Sequence, residues 1–314
     1  MSRIASLACA IWAASVVAAA AFDLQAHRGG RGLAPENTLA AFRHALTLGV
    51  TTLETDLAIT KDEVVVLSHD PRLNPDLVRG PDGQWLATPG PPIHELTLVE
   101  LRRYDVGRLN PATRYGQQFP AQKPADGERF PTLTELYALG GAAVRYNIET
   151  KIDPTRPDET VEPETFVRLV VAAVRSAKRQ RQTTIQSFDW RTLIAARRLA
   201  PEIETACLTI ESSNMNTVAG KPSPWLGGLD LEAHGGSLPR LAKAAGCVAW
   251  SPFWRNVTPP AVAEAQALGL KVVPWTVNDP NEMARLIEQK VDGLITDYPD
   301  RGLALLAARG LKAR

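Results

Sequence analysis

The sequence predicts an α/β chain closed as a TIM-type (β/α)8 barrel, with a β-hairpin on its second strand and a small insertion after it. Three observations carry that expectation. Short apolar runs alternate with helical patterns, the signature of parallel βα units. Eight such runs are present, at Asp23–Ala26, Thr52–Ile59, Ala143–Glu149, Thr183–Gln186, Glu204–Thr209, Cys247–Ser251, Lys271–Val277 and Gly293–Thr296. A ninth run, Val64–His69, is separated from the second only by Thr60–Glu63. A parallel partner needs a crossover of roughly a dozen residues or more, so this run returns antiparallel. If the turn centres on Lys61 and Asp62, Leu57 pairs with Val66 and Glu54 falls opposite His69.

Taken in order, the chain opens with a segment outside the fold. In residues 1–21 a single Arg3 precedes a run rich in Ala, Val, Ile and Leu, then the small residues Ala18 to Ala21. That layout predicts a signal peptide cut near Ala20 or Ala21, an exported chain (periplasmic or secreted) and no stable membrane span in the mature protein. Residues 22–314 then form one barrel domain. Asn37 and Thr38 cap a helix carrying Leu39, Phe42 and Leu46, and Gly49 stops it. Thr97–Glu100 and Thr132–Glu135 read as capping boxes. Phe166, Leu169, Val170, Ala173, Val174 and Ala177 form an apolar helix face. Thr258-Pro259 and Asp279-Pro280 pair a cap residue with proline at the first turn. Two stretches break the rhythm: the proline-rich 71–130, and the Gly/Pro-rich 212–236 with Trp225 inside it. Loops of that length are usually functional, and both are expected to wall a substrate cleft.

A formal net charge of +1 points to no nucleic-acid partner and no polybasic membrane patch, so any anion site is local. Cys207 and Cys247 each lie in an apolar run. Export permits a disulfide between them, and two buried free thiols fit the sequence equally.

The chemistry-bearing residues lie at strand ends, where barrel enzymes place their sites. Glu54 and Asp56 share one face of the second strand, and Glu149 ends the third. Oxygen donors alone suit a hard cation, Mg²⁺ or Ca²⁺. Spacing equally allows these acids to be buried ion-pair partners of Arg28 and Lys151. His27 and His69 flank the acids in the hairpin arrangement and titrate near neutral pH. Arg28 offers a planar fork to phosphate oxygens and Lys151 a point charge. Asn147, Glu149 and Lys151 share a face. Gly29, Gly30 and Gly32 allow a tight turn. Asn37 reads as a helix cap, the alternative being that Glu36 and Asn37 bond back to the His27 loop; Trp275 reads as a strand-end aromatic and Asp297 as structural.

The motifs HRGG, PENT, LETD, TKD and SHD, followed by NIETK, QSF, PWTVN and LITDYP, resemble those of the glycerophosphodiester phosphodiesterase family, in the family's order. The resemblance covers nearly the whole chain after residue 22. It implies one divalent cation, Ca²⁺ or Mg²⁺, on Glu54, Asp56 and Glu149, with His27 and His69 as general acid and base. It also implies that 71–130 is the family's small insertion, that Arg28 and Lys151 meet phosphate, and that Trp275 packs on glycerol. The implied reaction is hydrolysis of a small-molecule glycerophosphodiester to sn-glycerol 3-phosphate and an alcohol. Glu63 departs from the family's usual turn glycine, and Thr150 from its usual aliphatic. Action on lysophospholipid or sphingomyelin head groups, or an exported glycerophosphate-binding module without catalysis, are the alternatives.

Overall fold

The computed structural model describes residues 22–313; the expected signal segment, 1–21, lies outside the described residues. The strands are β1 (Asp23–Ala26), β2 (Thr52–Ile59), β3 (Val65–Leu67), β4 (Arg145–Thr150), β5 (Thr183–Ser187), β6 (Glu204–Thr209), β7 (Ala249–Pro252), β8 (Lys271–Val272) and β9 (Gly293–Thr296). The helices are α1 (Leu39–Leu48), α2 (Leu98–Leu101), α3 (Arg114–Gln117), α4 (Leu133–Leu139), α5 (Pro163–Ser176), α6 (Trp190–Leu199), α7 (Leu238–Ala244), α8 (Pro259–Ala267), α9 (Pro280–Glu288) and α10 (Pro299–Ala308). Among the described residues, no helix is long and apolar enough to cross a membrane.

Eight strands run parallel in the order β8-β7-β6-β5-β4-β2-β1-β9. No ladder joins β8 to β9. Instead the amides of Asp292, Ile295 and Val277 donate to Val272, Pro274 and Ile295 at 2.9, 3.0 and 2.9 Å, drawing the seam together. The run expected over Lys271–Val277 keeps strand pairing only over its first two residues. Pro274 has no N–H to continue a ladder.

Every residue of β2 is buried, and its two faces differ in kind. Leu53, Leu57 and Ile59 join the main apolar cluster beneath the helices, while Thr52, Glu54 and Asp56 alternate with them. The outer face of the barrel therefore carries the hydrophobic core. Phe166, Val167, Val170, Val171 and Val174 of α5 are buried against it, with Leu169, Ala173 and Ala177 packed at its edge. The stripe lies one residue round from the expected face. A file of hydrogen-bonded polar side chains fills the lumen instead. Gln25 donates to Asp23 at 2.9 Å, Asn147 to both Gln25 and Gln186 at 2.8 Å, and Gln186 to Glu54 at 2.8 Å.

β3 pairs antiparallel with β2, but one step away from the expected register: Leu57 faces Leu67 and Ala58 faces Val66. The loop holds an odd residue. Thr60 N–H donates to Val64 O at 3.0 Å, and Glu63 takes φ +61° to close a three-residue turn. A two-residue turn would have set the other register. Beyond the hairpin, residues 71–130 are mostly irregular. Leu73, Val78, Ile93, Leu101 and Phe130 bury a small apolar cluster against Ala58 and Val66 of the hairpin. In the other irregular stretch, Met215 and Trp225 pack against Phe188, Leu208 and Ile210.

Cys207 on β6 and Cys247 just before β7 form a disulfide, their Cα atoms 6.0 Å apart. The bond closes a loop with a sequence separation of 40. By loop-closure entropy such a bond is worth about 4 kcal/mol. Urea unfolding of the oxidised protein beside the Cys207→Ala/Cys247→Ala pair is expected to show a loss of that order.

Candidate active site

The turn after β1 sets the site. His27, Arg28 and Gly29 form a 3₁₀ turn in which Arg28 takes φ +53° and Gly29 φ +83°. A side chain on Gly29 would bring its Cβ within 2.7 Å of Ala41 Cβ, so the turn can sit against α1 only as glycine. A left-handed arginine costs about 1–3 kcal/mol unless its surroundings hold it. Here the Arg28 amide donates to Glu54 Oε2 at 2.8 Å, its Nη1 to Glu36 at 2.6 Å, and its Nε lies 3.0 Å from Asp56 Oδ2.

Glu54 and Asp56 on β2 and Glu149 on β4 converge. Asp56 and Glu149 are register partners, and ligand atoms of all three acids lie within 4.8 Å of one another, all buried. The two sequence readings of these acids coexist. Lys151 Nζ is 3.0 Å from Glu149 and 3.9 Å from Asp56, while Arg28 pairs with Asp56. Yet Asp56 Oδ1, though buried, has no hydrogen-bond partner among the described residues. Burial and the neighbouring Asp56 charge push Glu54 well above the usual carboxylate range, against the Arg28 amide. Burial likewise raises Glu149 to about 7, with Lys151 opposing and Asp56 adding to the rise. Burial also works against ionised Asp56, but Arg28, His69 and Lys151 together hold it far below the ordinary value. Two lysine and arginine charges thus leave the three acids short of positive charge. An orphan carboxylate oxygen and oxygen-only donors complete a site that fits a hard divalent cation.

His27 Nδ1 lies 2.5 Å from Asp297 Oδ1, and its Nε2 is 4.0 Å from Glu54 Oε2. Asp297 was expected to be structural; it instead sets the histidine. It is an acceptor only, held ionised by Arg31 at 2.8 Å and by His27 in spite of its burial, so Nδ1 carries the proton and Nε2 is left basic. Asn278 fixes the other oxygen of Asp297 at 2.7 Å. Burial, with Arg31 and Arg28 adding, lowers the His27 imidazolium to about 4 against the pull of Asp297. His69 follows β3 with a half-buried side chain, and its Nδ1 is 2.9 Å from Asp70. Burial, then Arg28 and Lys151, lower its basicity too.

A cavity of about 120 Å³ unites the set. Both histidines, Glu54, Glu149, Arg28 and Lys151 line its polar side, and Phe188, Leu208 and Trp275 its apolar side. Asp56 lies beneath this lining. Trp275 Nε1 donates to Ser251 O at 2.9 Å, and its ring meets Phe188 edge-on at 5.1 Å. The structure also corrects Asn37. Thr38 caps α1 by accepting from the Ala41 amide, while Asn37, at φ +55°, donates to Asp56 Oδ2 at 3.1 Å and accepts from Thr55. The other sequence reading of PENT holds: Glu36 accepts from Arg28 Nη1, and the Asn37 backbone amide donates to Arg28 O at 3.0 Å, both in the loop that carries His27. Arg31 and Gln186 were missed as partners of Asp297 and Glu54, because no local pattern shows which distant group each meets.

The family model described as "Glycerophosphoryl diester phosphodiesterase family" matches residues 27–301. A glycerophosphodiester phosphodiesterase of Caldanaerobacter subterraneus is 29% identical over 286 residues, spanning 91% of this chain and 98% of its own length. A Silicibacter pomeroyi structure of the same designation is 35% identical with a TM-score of 0.83, covering 93% of this chain and 95% of that one. An Oleispira antarctica phosphodiesterase, solved with the product sn-glycerol-3-phosphate, shares the fold at 23% identity and a TM-score of 0.66, over 91% and 96% of the two chains.

The raised acids would make cation binding at this site pH-dependent. A ligand carboxylate must give up its proton, so Mg²⁺ or Ca²⁺ held here would release protons once pH falls below about 7, where Glu149 is expected to protonate. Calorimetry in buffers of different ionisation heat is expected to show that release. Affinity should fall on the order of tenfold per pH unit for each proton displaced.

Proposed function

The chain belongs to the glycerophosphoryl diester phosphodiesterase family, and we propose that it hydrolyses glycerophosphodiesters to sn-glycerol 3-phosphate and an alcohol by two-histidine acid–base catalysis with one divalent cation. The observation that carries this reading is the gathering of His27, His69, Glu54 and Glu149 around one cavity with Asp56 beneath it. The relatives named above support the phosphodiesterase activity itself.

Glu54, Asp56 and Glu149 would hold the cation, which supplies positive charge against the phosphate oxygens. Lys151 and the unpaired donors of Arg28 take the remaining phosphate charge as it builds. His27, neutral at pH 7 with Nε2 free, accepts the proton of the attacking hydroxyl. Asp297 stabilises the imidazolium that results. By family resemblance the attacking group is the neighbouring glycerol hydroxyl. Its oxygen bonds to phosphorus, the bond to the alcohol breaks, and His69 protonates the departing alkoxide. Water then opens the cyclic phosphate with the two histidines in reversed roles. His69 suits the donor role because its half-exposed ring reloads from solvent. Trp275 and Phe188 offer an apolar wall to the carbon skeleton of glycerol.

Export belongs to the same reading. The 1–21 segment has the composition of a signal peptide, and the Cys207–Cys247 bond suits an oxidising compartment.

Glycerophosphocholine with Mg²⁺ or Ca²⁺ is the direct test. Glycerol 3-phosphate and choline are the expected products, and EDTA is expected to stop their release. Phosphocholine as product, or turnover that survives EDTA, counts against the reading. His27→Ala and His69→Ala are each expected to lose a factor on the order of 10²–10⁴ in kcat or more, with the folded circular dichroism spectrum retained. Asp297→Asn can present an N–H to Nδ1 and move the ring proton to Nε2. Steady-state kinetics should then show kcat down by roughly 10²–10⁴ with KM little changed.

A further inference from the structure

We infer that Tyr115, from the insertion, is a positioning residue of the phosphate site, its hydroxyl holding Arg31 directly and Arg28 through Glu36. The inference rests on the reading above only in taking Arg28 as a phosphate ligand.

Two arginines, Arg28 buried and Arg31 partly so, crowd one side of the cavity and line it together. Each has its own carboxylate. Arg28 holds Glu36 Oε1 at 2.6 Å, and Arg31 holds Asp297 Oδ1 at 2.8 Å. The Tyr115 hydroxyl stands between the two pairs. It donates to Glu36 Oε2 and accepts from Arg31 Nη1 at 2.9 Å. Neither bond can run the other way, because a carboxylate only accepts and a guanidinium only donates. Burial and the adjacent Glu36 charge push the phenol well above its usual range, so it keeps the proton it donates.

The result is a continuous line of contacts from the acid cluster to the general base. It runs Asp56, Arg28, Glu36, Tyr115, Arg31, Asp297, His27. Tyr115 is its one member from 71–130. The insertion is locked to this line by further bonds. Gln122 Nε2 donates to Arg31 O at 2.7 Å, and Lys123 N–H to Leu33 O at 2.9 Å. The Phe119 ring lies 5.1 Å from the Arg31 guanidinium and meets Tyr115 edge-on at 5.5 Å. Without the hydroxyl, Glu36 has a free oxygen facing two guanidiniums and can draw Arg31 across. That turns the arginine donors away from the phosphate and loosens Asp297 behind His27.

The test compares Tyr115→Phe, which removes only the hydroxyl, with Leu101→Val, which weakens the packing of the insertion in a cluster away from the cavity and leaves the hydroxyl. Each is measured for Tm, KM and kcat on glycerophosphocholine and Kd for inorganic phosphate. Tyr115→Phe is expected to raise KM and the phosphate Kd tenfold or more at a Tm no lower than that of Leu101→Val. Leu101→Val is expected to lower Tm and leave both constants within twofold. A Tyr115→Phe phosphate Kd within twofold of the parent overturns the inference, as does an equal rise in Leu101→Val. If Tyr115→Phe does not fold, Tyr115→Leu, which also lacks a donor, is held to the same thresholds. A parent enzyme that binds phosphate but does not cleave glycerophosphocholine sinks the proposed function and leaves this comparison readable.

Discussion

Three carboxylates buried within 4.8 Å of one another are the constraint this structure is built to satisfy. Two ionised groups at that separation repel by about 3–4 kcal/mol even at an effective dielectric near 20. Nothing in folding favours such a cluster, and removing one acid would relieve it. The surrounding groups answer the charge instead. Arg28 accepts a left-handed backbone to reach Asp56 Oδ2, Asn37 donates to that same oxygen, Lys151 stands against Glu149, and Gln186 donates to Glu54 Oε1. The compensation is incomplete, and the shortfall is what would let the cluster take a divalent cation beside its ion pairs.

The same constraint explains where stability resides. A barrel lumen is usually packed with branched apolar side chains. Here it carries Gln25, Asn147, Gln186 and the acids, linked by hydrogen bonds. The hydrophobic core has therefore moved wholly outward, between strands and helices, where Leu53, Ile148, Ile185 and Trp190 are buried. Polar lumen and apolar shell are two faces of the same strands, produced by period-two alternation. The amide file also leaves the carboxylate of Glu54 little freedom to turn.

Each histidine is steered by a carboxylate on its Nδ1, but the two stand in different surroundings. His27 is almost wholly enclosed, and its partner Asp297 is itself gripped by Arg31 and Asn278. His69 and Asp70 sit at the open side of the cavity. One ring is thus shut off from solvent, and the other is open to exchange a proton with water. This asymmetry comes from burial, which the identical residue type conceals. The insertion reaches the enclosed side through Tyr115, so a segment that looks peripheral in the chain is in contact with the most protected part of the site.

The sequence by itself determined the strand count, the antiparallel return of the ninth run and the faces of Glu54, Asp56 and Glu149. These follow from alternation and from the minimum length of a crossover, which are local rules. It also placed the two histidines, Arg28, Lys151 and Trp275 at strand ends, and seven of the eight named site residues line one cavity with Asp56 just below. Only the tertiary structure decided the rest. The hairpin register turned on whether Glu63 would adopt φ +61°, a choice made by the closed loop and not by residue propensity. Asp297 became the partner of His27 because β9 lies beside β1, 270 residues away in sequence. Asn37 left the helix cap for Asp56, and Thr38 took its place, because the buried carboxylate oxygen of Asp56 needs a donor that a threonine one residue on could not supply while capping the buried helix end. Whether Cys207 and Cys247 pair depends on how close two neighbouring strands bring them, and whether Tyr115 touches the site depends on how the insertion folds back. Spacing along a chain carries no record of either.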